Sequence, residues 1–368
     1  MFALLDSIGA ARRPGSVLLM LVMLLTCWPS AQAALEDVLA RPSMTSAKAV
    51  QAAMLSVGRA GSRLVAVGER GIVLVSDSNG QQWKQVATPV SVTLTAVNFP
   101  DARHGYAVGH GGVVLASADG GLSWRRILDG RQAAGLMLVD AESRTDLDDP
   151  ERLALVGEAK RLVEDGPDKP FLDVRFSDQK NGLIVGAFGM ALTTEDGGVH
   201  WKPIGHRIPN PKRKHLYRIV VHKDLLWLAG EQGALFFSRD GGRSFEEMAL
   251  PYAGTLFGLV AASESEWLVY GLRGNVFRTS DAGSTWTKLA NAEATSVTHG
   301  QLLSDGRVVL IDQAGRVLVE SVSGSGLTAL GKDDLPSLNA VVQAPDGSLV
   351  MATLRGMVRR STASSGKP

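Results

Sequence analysis

The stretch Gly112-Val-Val-Leu-Ala-Ser117-Ala-Asp119-Gly-Gly121-Leu-Ser-Trp124 joins two patterns that recur along the chain. It opens on the last residue of a Gly-x-x-Gly turn, Gly109-His-Gly-Gly112, and runs into a short apolar segment bounded by a hydroxyl residue. Its second half, Ser117-x-Asp119-x-Gly121-x-x-Trp124, has the chemistry of a tight turn. An Asp carboxylate accepts backbone N–H groups across a turn, Gly tolerates positive φ there, and Trp offers a large apolar surface to bury.

The first pattern occurs seven times, at Gly68–Gly71, Gly109–Gly112, Gly186–Gly189, Gly230–Gly233 and Gly271–Gly274, and in weaker form at Asp312–Gly315 and Thr353–Gly356. Its closing Gly falls at 71, 112, 189, 233, 274, 315 and 356. All but two of the steps are 41 residues; the others are 44 and 77. The second pattern is complete at Asp119/Trp124, Asp196/Trp201, Asp240/Phe245 and Asp281/Trp286, and partial at Ser76 to Trp83, with Ser78 in place of Asp. This is the Asp-box, or bacterial neuraminidase repeat, read here as a structural turn that says nothing about catalysis.

A repeat of this length with four short strands fits a β-propeller blade. In the second repeat the expected strands are Leu94–Phe99, Gly105–Gly109, Gly112–Ser117 and Ser123–Ile127. The expected fold is therefore all-β, a seven-bladed propeller. The chain ends where the seventh blade's outer strand should begin, so Leu35–Ala49 is expected to supply that strand and close the ring.

The step of 77 marks an insertion over residues 129–170 between blades 2 and 3. It reads as a helical hairpin, Ala133–Glu142 and Pro150–Glu164, with a start signal at Asp149-Pro150 and an apolar stripe of Leu153, Leu155, Val156 and Leu162. A degenerate eighth blade is excluded because the segment holds no Gly-x-x-Gly turn and little strand alternation.

The runs Leu94–Phe99, Gly105–Gly109 and Gly112–Trp124, echoed by Phe171–Phe176 and Gly182–Gly186, resemble the photosystem II stability/assembly factor family. The likeness runs from about Leu55 to Arg360 and departs from the family at the helical insertion. It implies a seven-bladed propeller and a non-catalytic role in assembling or supporting a membrane protein complex. In a non-photosynthetic host it implies a transporter accessory protein.

Residues 1–33 read as a signal peptide, with Arg12-Arg13, an apolar run from Val17 to Trp28 and Ala31-Gln32-Ala33 as cleavage site. The expected location is the periplasm. Residues 34–54 form the N-terminal segment, and 55–368 the propeller. Cys27 is the single cysteine and lies within the signal, where Thr26 and Trp28 fit lipid modification poorly. No disulfide or thiolate metal site is then expected. Beyond residue 33 the chain has 36 Lys+Arg and 36 Asp+Glu, since only Arg12, Arg13 and Asp6 leave the totals of 38 and 37. That balance argues against nucleic acid as a partner.

Blade topology places the inter-blade connections and the Gly-x-x-Gly turns on one face, with the Asp-boxes opposite. The candidate partner-binding residues on the first face are Arg70, Arg273 and Arg355, at the third turn position, and Lys212, Arg213 and Lys214 in the loop from Pro203 to His215. The alternative for that loop is pairing with the acidic insertion. Neither cofactor nor metal is expected: the seven His show no ligand spacing. The competing reading is a carbohydrate-binding or sialidase-like propeller. Arg207-Ile208-Pro209 matches a sialidase motif, but it follows the third Asp-box instead of preceding the set, and the four Tyr show no Glu partner.

Overall fold

A computed structural model describes residues 37–321, 324–331 and 335–361. The signal-peptide reading and Cys27 lie outside these residues. Seven antiparallel sheets follow one another along the chain, over 54–86, 94–128, 171–203, 216–247, 256–288, 297–329 and 338–360. The first six have four strands in sequence order, and the seventh has three. The seven-bladed propeller is the fold.

Each blade buries apolar side chains against both neighbours. Between blades 1 and 2 the core holds Val65, Val73, Leu94, Leu115 and Trp124. Between blades 2 and 3 it holds Val108, Val114, Phe171, Ile184 and Trp201. Polar side chains on the inner strands also tie several neighbouring blades together around the channel. Thr95 donates to the Phe171 carbonyl at 2.8 Å, Asn98 accepts from Phe176 N–H at 2.8 Å, and Gln301 accepts from Gln343 N–H at 2.9 Å. Such bonds satisfy buried backbone groups while fixing the angle between sheets.

The N-terminal segment differs from expectation. Its described residues add no strand to blade 7; Ala47–Gln51 form a 3-10 turn capped by Ser46. Their hydrogen-bonding groups are satisfied elsewhere. Ser43 and Thr88 exchange bonds, Ser91 N–H donates to the Val38 carbonyl, and Leu39 is buried in the core of blades 1 and 2. The segment still helps to close the ring, by packing and not as a strand. Ala49, Ala52, Leu64 and Leu74 meet Ala340, Val342, Val350 and Ala352, and Asn339 donates to the Met54 carbonyl at 2.8 Å.

The insertion folds as two helices, α1 over Gly130–Ser143 and α2 over Asp149–Asp165. Asp129 and Gln132 form a reciprocal capping box on α1; Asp148 caps α2, Pro150 sits in its first turn and Gly166 ends it. Of the expected stripe on α2, Val156 is buried and Leu155 partly so, but Leu153 is 62% exposed. Ala159 takes the buried place beside Val156, packed against Ala141 and Leu138 of α1.

Candidate partner-binding face

The Gly-x-x-Gly turns share one backbone. The third residue is left-handed in five of them, with φ of 53° at Arg70, 69° at Gly111, 55° at Phe188, 52° at Gln232 and 56° at Arg273. The closing Gly is left-handed as well, and the next inter-blade connection lies across it. A Cβ on Gly71 would stand 2.1 Å from the Val90 carbonyl oxygen. The first Gly is extended, but a Cβ on Gly68 would stand 2.1 Å from the Ala53 carbonyl oxygen. Steric exclusion thus fixes both glycines, while the third side chain points away and is free to vary.

Arg70, Arg273 and Arg355 are exposed, and their guanidinium groups make no ion pair among the described residues. The turns of Arg70 and Arg355 are brought together at the ring seam: Gly356 N–H donates to the Ala52 carbonyl and Glu69 N–H to that of Ala53. Phe188 occupies the same position in blade 3. It is 48% exposed, edge-on to the His215 ring at 4.9 Å, with the Lys169 ammonium 5.3 Å from its ring centre. A bulky left-handed aromatic facing solvent is uncommon.

The basic loop divides. Arg213 has φ of 49°, is half-buried and ion-pairs with Glu158 of α2; burial pushes its pKa below the ordinary value. The Lys214 ammonium is only 14% exposed and lies 3.4 Å from Glu247. Lys212 alone is exposed. Two of these three cations therefore anchor the loop, and the hairpin, to the propeller.

Sequence reasoning missed a polar chain in the channel. Asp173 of blade 3 is buried and accepts from Ile219 N–H at 2.8 Å. Arg218 of blade 4 lies 3.7 Å from it and reaches past Gly258 to hydrogen-bond His299 of blade 6. Burial, reinforced by Arg218, holds the His299 pKa well below the usual range, so the imidazole is neutral. Burial raises the Asp173 pKa against the pull of Arg218. Arg59 and Arg175 line the same cavity of about 400 Å³. These residues lie in separate blades, and only the repeat register could have aligned Asp173, Arg218 and His299 at one inner-strand position.

The opposite face is regular. Asp119 Oδ1 accepts from Leu122 N–H and Ser123 N–H at 2.9 Å, and Oδ2 from the Ser123 hydroxyl at 2.6 Å. Asp196, Asp240 and Asp281 repeat the arrangement, while in the first copy Ser78 accepts from a single backbone group, Gln82 N–H. Trp124 and Trp201 are buried; Phe245 and Trp286 are partly buried against their cores.

Nothing in this geometry activates a Tyr. Burial raises the pKa of Tyr106, Tyr217, Tyr252 and Tyr270, the reverse of what a phenolate nucleophile needs. Ile208 of the sialidase-like tripeptide is 5% exposed in the core of blades 3 and 4, and the Arg207 carbonyl accepts from Phe245 N–H. Among the described residues no group of three His, Cys, Asp or Glu could hold a metal, and no helix is long and apolar enough to cross a membrane.

The family model described as photosynthesis system II assembly factor YCF48 matches residues 54–142 and 158–327. The chain belongs to that family. A photosystem II assembly lipoprotein Ycf48 of Synechococcus sp. (strain CC9902) is 27% identical over 196 residues, covering 51% of this chain and 57% of the relative. The chloroplastic photosystem II stability/assembly factor HCF136 of Arabidopsis thaliana is 24% identical over 198 residues, covering 52% and 43%. The chain thus spans about half the length of the curated relatives it matches. A solved structure of YCF48 bound to D1 peptide superposes with a TM-score of 0.62 at 13% identity, over 88% of this chain and 100% of that one. YCF48 from Cyanidioschyzon merolae gives 0.61, over 84% and 96%. At that identity the likeness speaks for the fold. The family match breaks between 142 and 158, at the tip of the hairpin.

Proposed function

We propose that this protein is a non-catalytic, exported assembly or accessory factor that holds a segment of a membrane protein complex on its Gly-x-x-Gly face. The observation that carries the reading is membership of the YCF48 assembly-factor family, one solved member of which is described as bound to a D1 peptide. The exposed Arg70, Arg273, Arg355 and Lys212, with Phe188 beside them, are the contact residues of this reading. In a photosynthetic host the partner is a photosystem intermediate; in another host it is a transporter.

The test places a photoreactive amino acid at position 70, 188 or 273, and at Leu122 or Val199 on the opposite face as controls. Irradiation of cells followed by mass spectrometry is expected to join one integral membrane protein to the first set only. Adducts from Leu122 and Val199 alone would reject the assigned face, and adducts with no membrane protein would reject the reading. N-terminal sequencing of the exported chain checks cleavage after Ala33.

A further inference from the structure

The hairpin does not lie flat on the propeller. Between α1, α2 and the loop 203–213 runs an open groove of about 630 Å³. Its lining includes the half-buried Leu155 and Leu162 of α2, Pro209 of the loop and the exposed Phe188. Phe188 is held in its left-handed turn by a bond from its N–H to the His215 ring at 2.7 Å, so the aromatic end of the groove is rigid.

The charges around the groove are unequal in availability. Both arginines on its walls are engaged: Arg144 is bonded to Asp146, with Nε to Oδ1 at 2.6 Å, and Arg213 is paired with Glu158. His206 is held below its ordinary pKa by burial and by the neighbouring Arg144, and so is neutral near pH 7. Asp140 on α1 and Glu151 on α2 make no ion pair among the described residues, although Asp140 attracts Arg144 from a longer distance. The insertion as a whole carries 11 Asp/Glu against 6 Lys/Arg over residues 129–170. A partly apolar slot lined by Asp140, Glu151 and Glu158, with its two arginines already engaged, favours a cationic occupant and repels an anionic one.

We propose that this groove is a docking site for a short partner segment with an apolar residue flanked by Lys or Arg, the apolar side chain lying against Leu155, Pro209 and Phe188 and the cations meeting Asp140 and Glu151. The inference rests on the binding-factor reading and deepens it. It gives the hairpin, which the family model does not cover at its tip, a recognition chemistry distinct from the cationic turns of the face.

The test uses the full exported chain and two labelled pentapeptides, Lys-Leu-Phe-Arg-Lys and Glu-Leu-Phe-Glu-Glu, in fluorescence anisotropy. The basic peptide is expected to bind more tightly by about tenfold or more, the equivalent of ~1.4 kcal/mol. The double variant D140K/E151K is expected to reverse that order while shifting the melting temperature only slightly, since neither carboxylate makes an ion pair among the described residues. The Phe188→Gly variant is expected to weaken both peptides alike. Equal binding of the two peptides, or an order unchanged by D140K/E151K, would overturn the proposal. So would a concentration-dependent dimer lost in D140K/E151K, which assigns the groove to a second copy. Photocrosslinking separates this outcome from failure of the wider reading: a membrane partner still joined to position 273 in D140K/E151K leaves that reading standing.

Discussion

The two faces of the propeller carry turns of equal regularity and opposite freedom. In an Asp-box the side chain bonds its own backbone, so Asp119, Asp196, Asp240 and Asp281 recur because no other side chain makes the same set of bonds. In a Gly-x-x-Gly turn the backbone asks only for two small residues and one left-handed one. The left-handed position is then Arg70, Gly111, Phe188, Gln232 or Arg273 with no change in course. In the Asp-box the side chain that defines the turn is used by the turn itself; in the Gly-x-x-Gly turn the variable side chain is left over for other uses.

The contrast can be broken by mutation. The largest effect is expected for Trp124→Ala, which empties a site in the core of blades 1 and 2 and removes its bond to the Gly121 carbonyl. A loss of roughly 3–5 kcal/mol is expected, read by denaturant unfolding. Asp119→Ala should cost about 1–2 kcal/mol by leaving turn N–H groups unpaired, and a melting temperature equal to wild type would refute the structural reading of the box.

Acid should weaken the same face. The Thr285 hydroxyl and N–H, with the Thr279 hydroxyl, hold the Asp281 pKa down at about 2, from an ordinary 3.8. Asp119 is lowered too, the Ser123 and Ser117 hydroxyls outweighing the opposing effect of burial. A lowered folded-state pKa gives stability that is complete above about pH 4 and lost as pH falls toward 2. Melting temperature should fall across that window, and Asp281→Asn should flatten the fall.

On the other face the changes are smaller. Changing Lys212, Arg213 and Lys214 together to Ser would be neutral if the loop were only a solvated patch. The Arg213–Glu158 pair and the sheltered Lys214 instead lead to a loss of about 1 kcal/mol, with Lys212→Ser alone near zero. Arg70→Gly relieves a left-handed side chain and should raise stability by up to about 1 kcal/mol while weakening partner capture. A clear loss of stability there would mean that the turn side chains are structural after all.

Much of this was legible locally. The repeat gave seven blades, and the hairpin, expected at 133–142 and 150–164, extends only a few residues further. Its unread signal was Asp129-x-x-Gln132, a capping box with Asp in the leading place. Phe188 was overlooked although it stands at the turn position that drew attention to Arg70. The N-terminal strand was a wrong inference from an open edge: with Ser43, Ser46 and Ser91 to bond, the segment crosses from blade 7 to blade 2 as a strap.

The sequence by itself determined the blade, because a blade is made of bonds between residues close in the chain: an Asp and the N–H groups three and four residues on, a Gly and the carbonyl that passes over it. The tertiary structure decided what the ring encloses and exposes. Asp173, Arg218 and His299 meet only when three blades curve round one axis, and Arg213 turned from a free cation into an anchor only when α2 brought Glu158 to it. A charge has no fixed role until folding sets what stands opposite it and how much water remains between them.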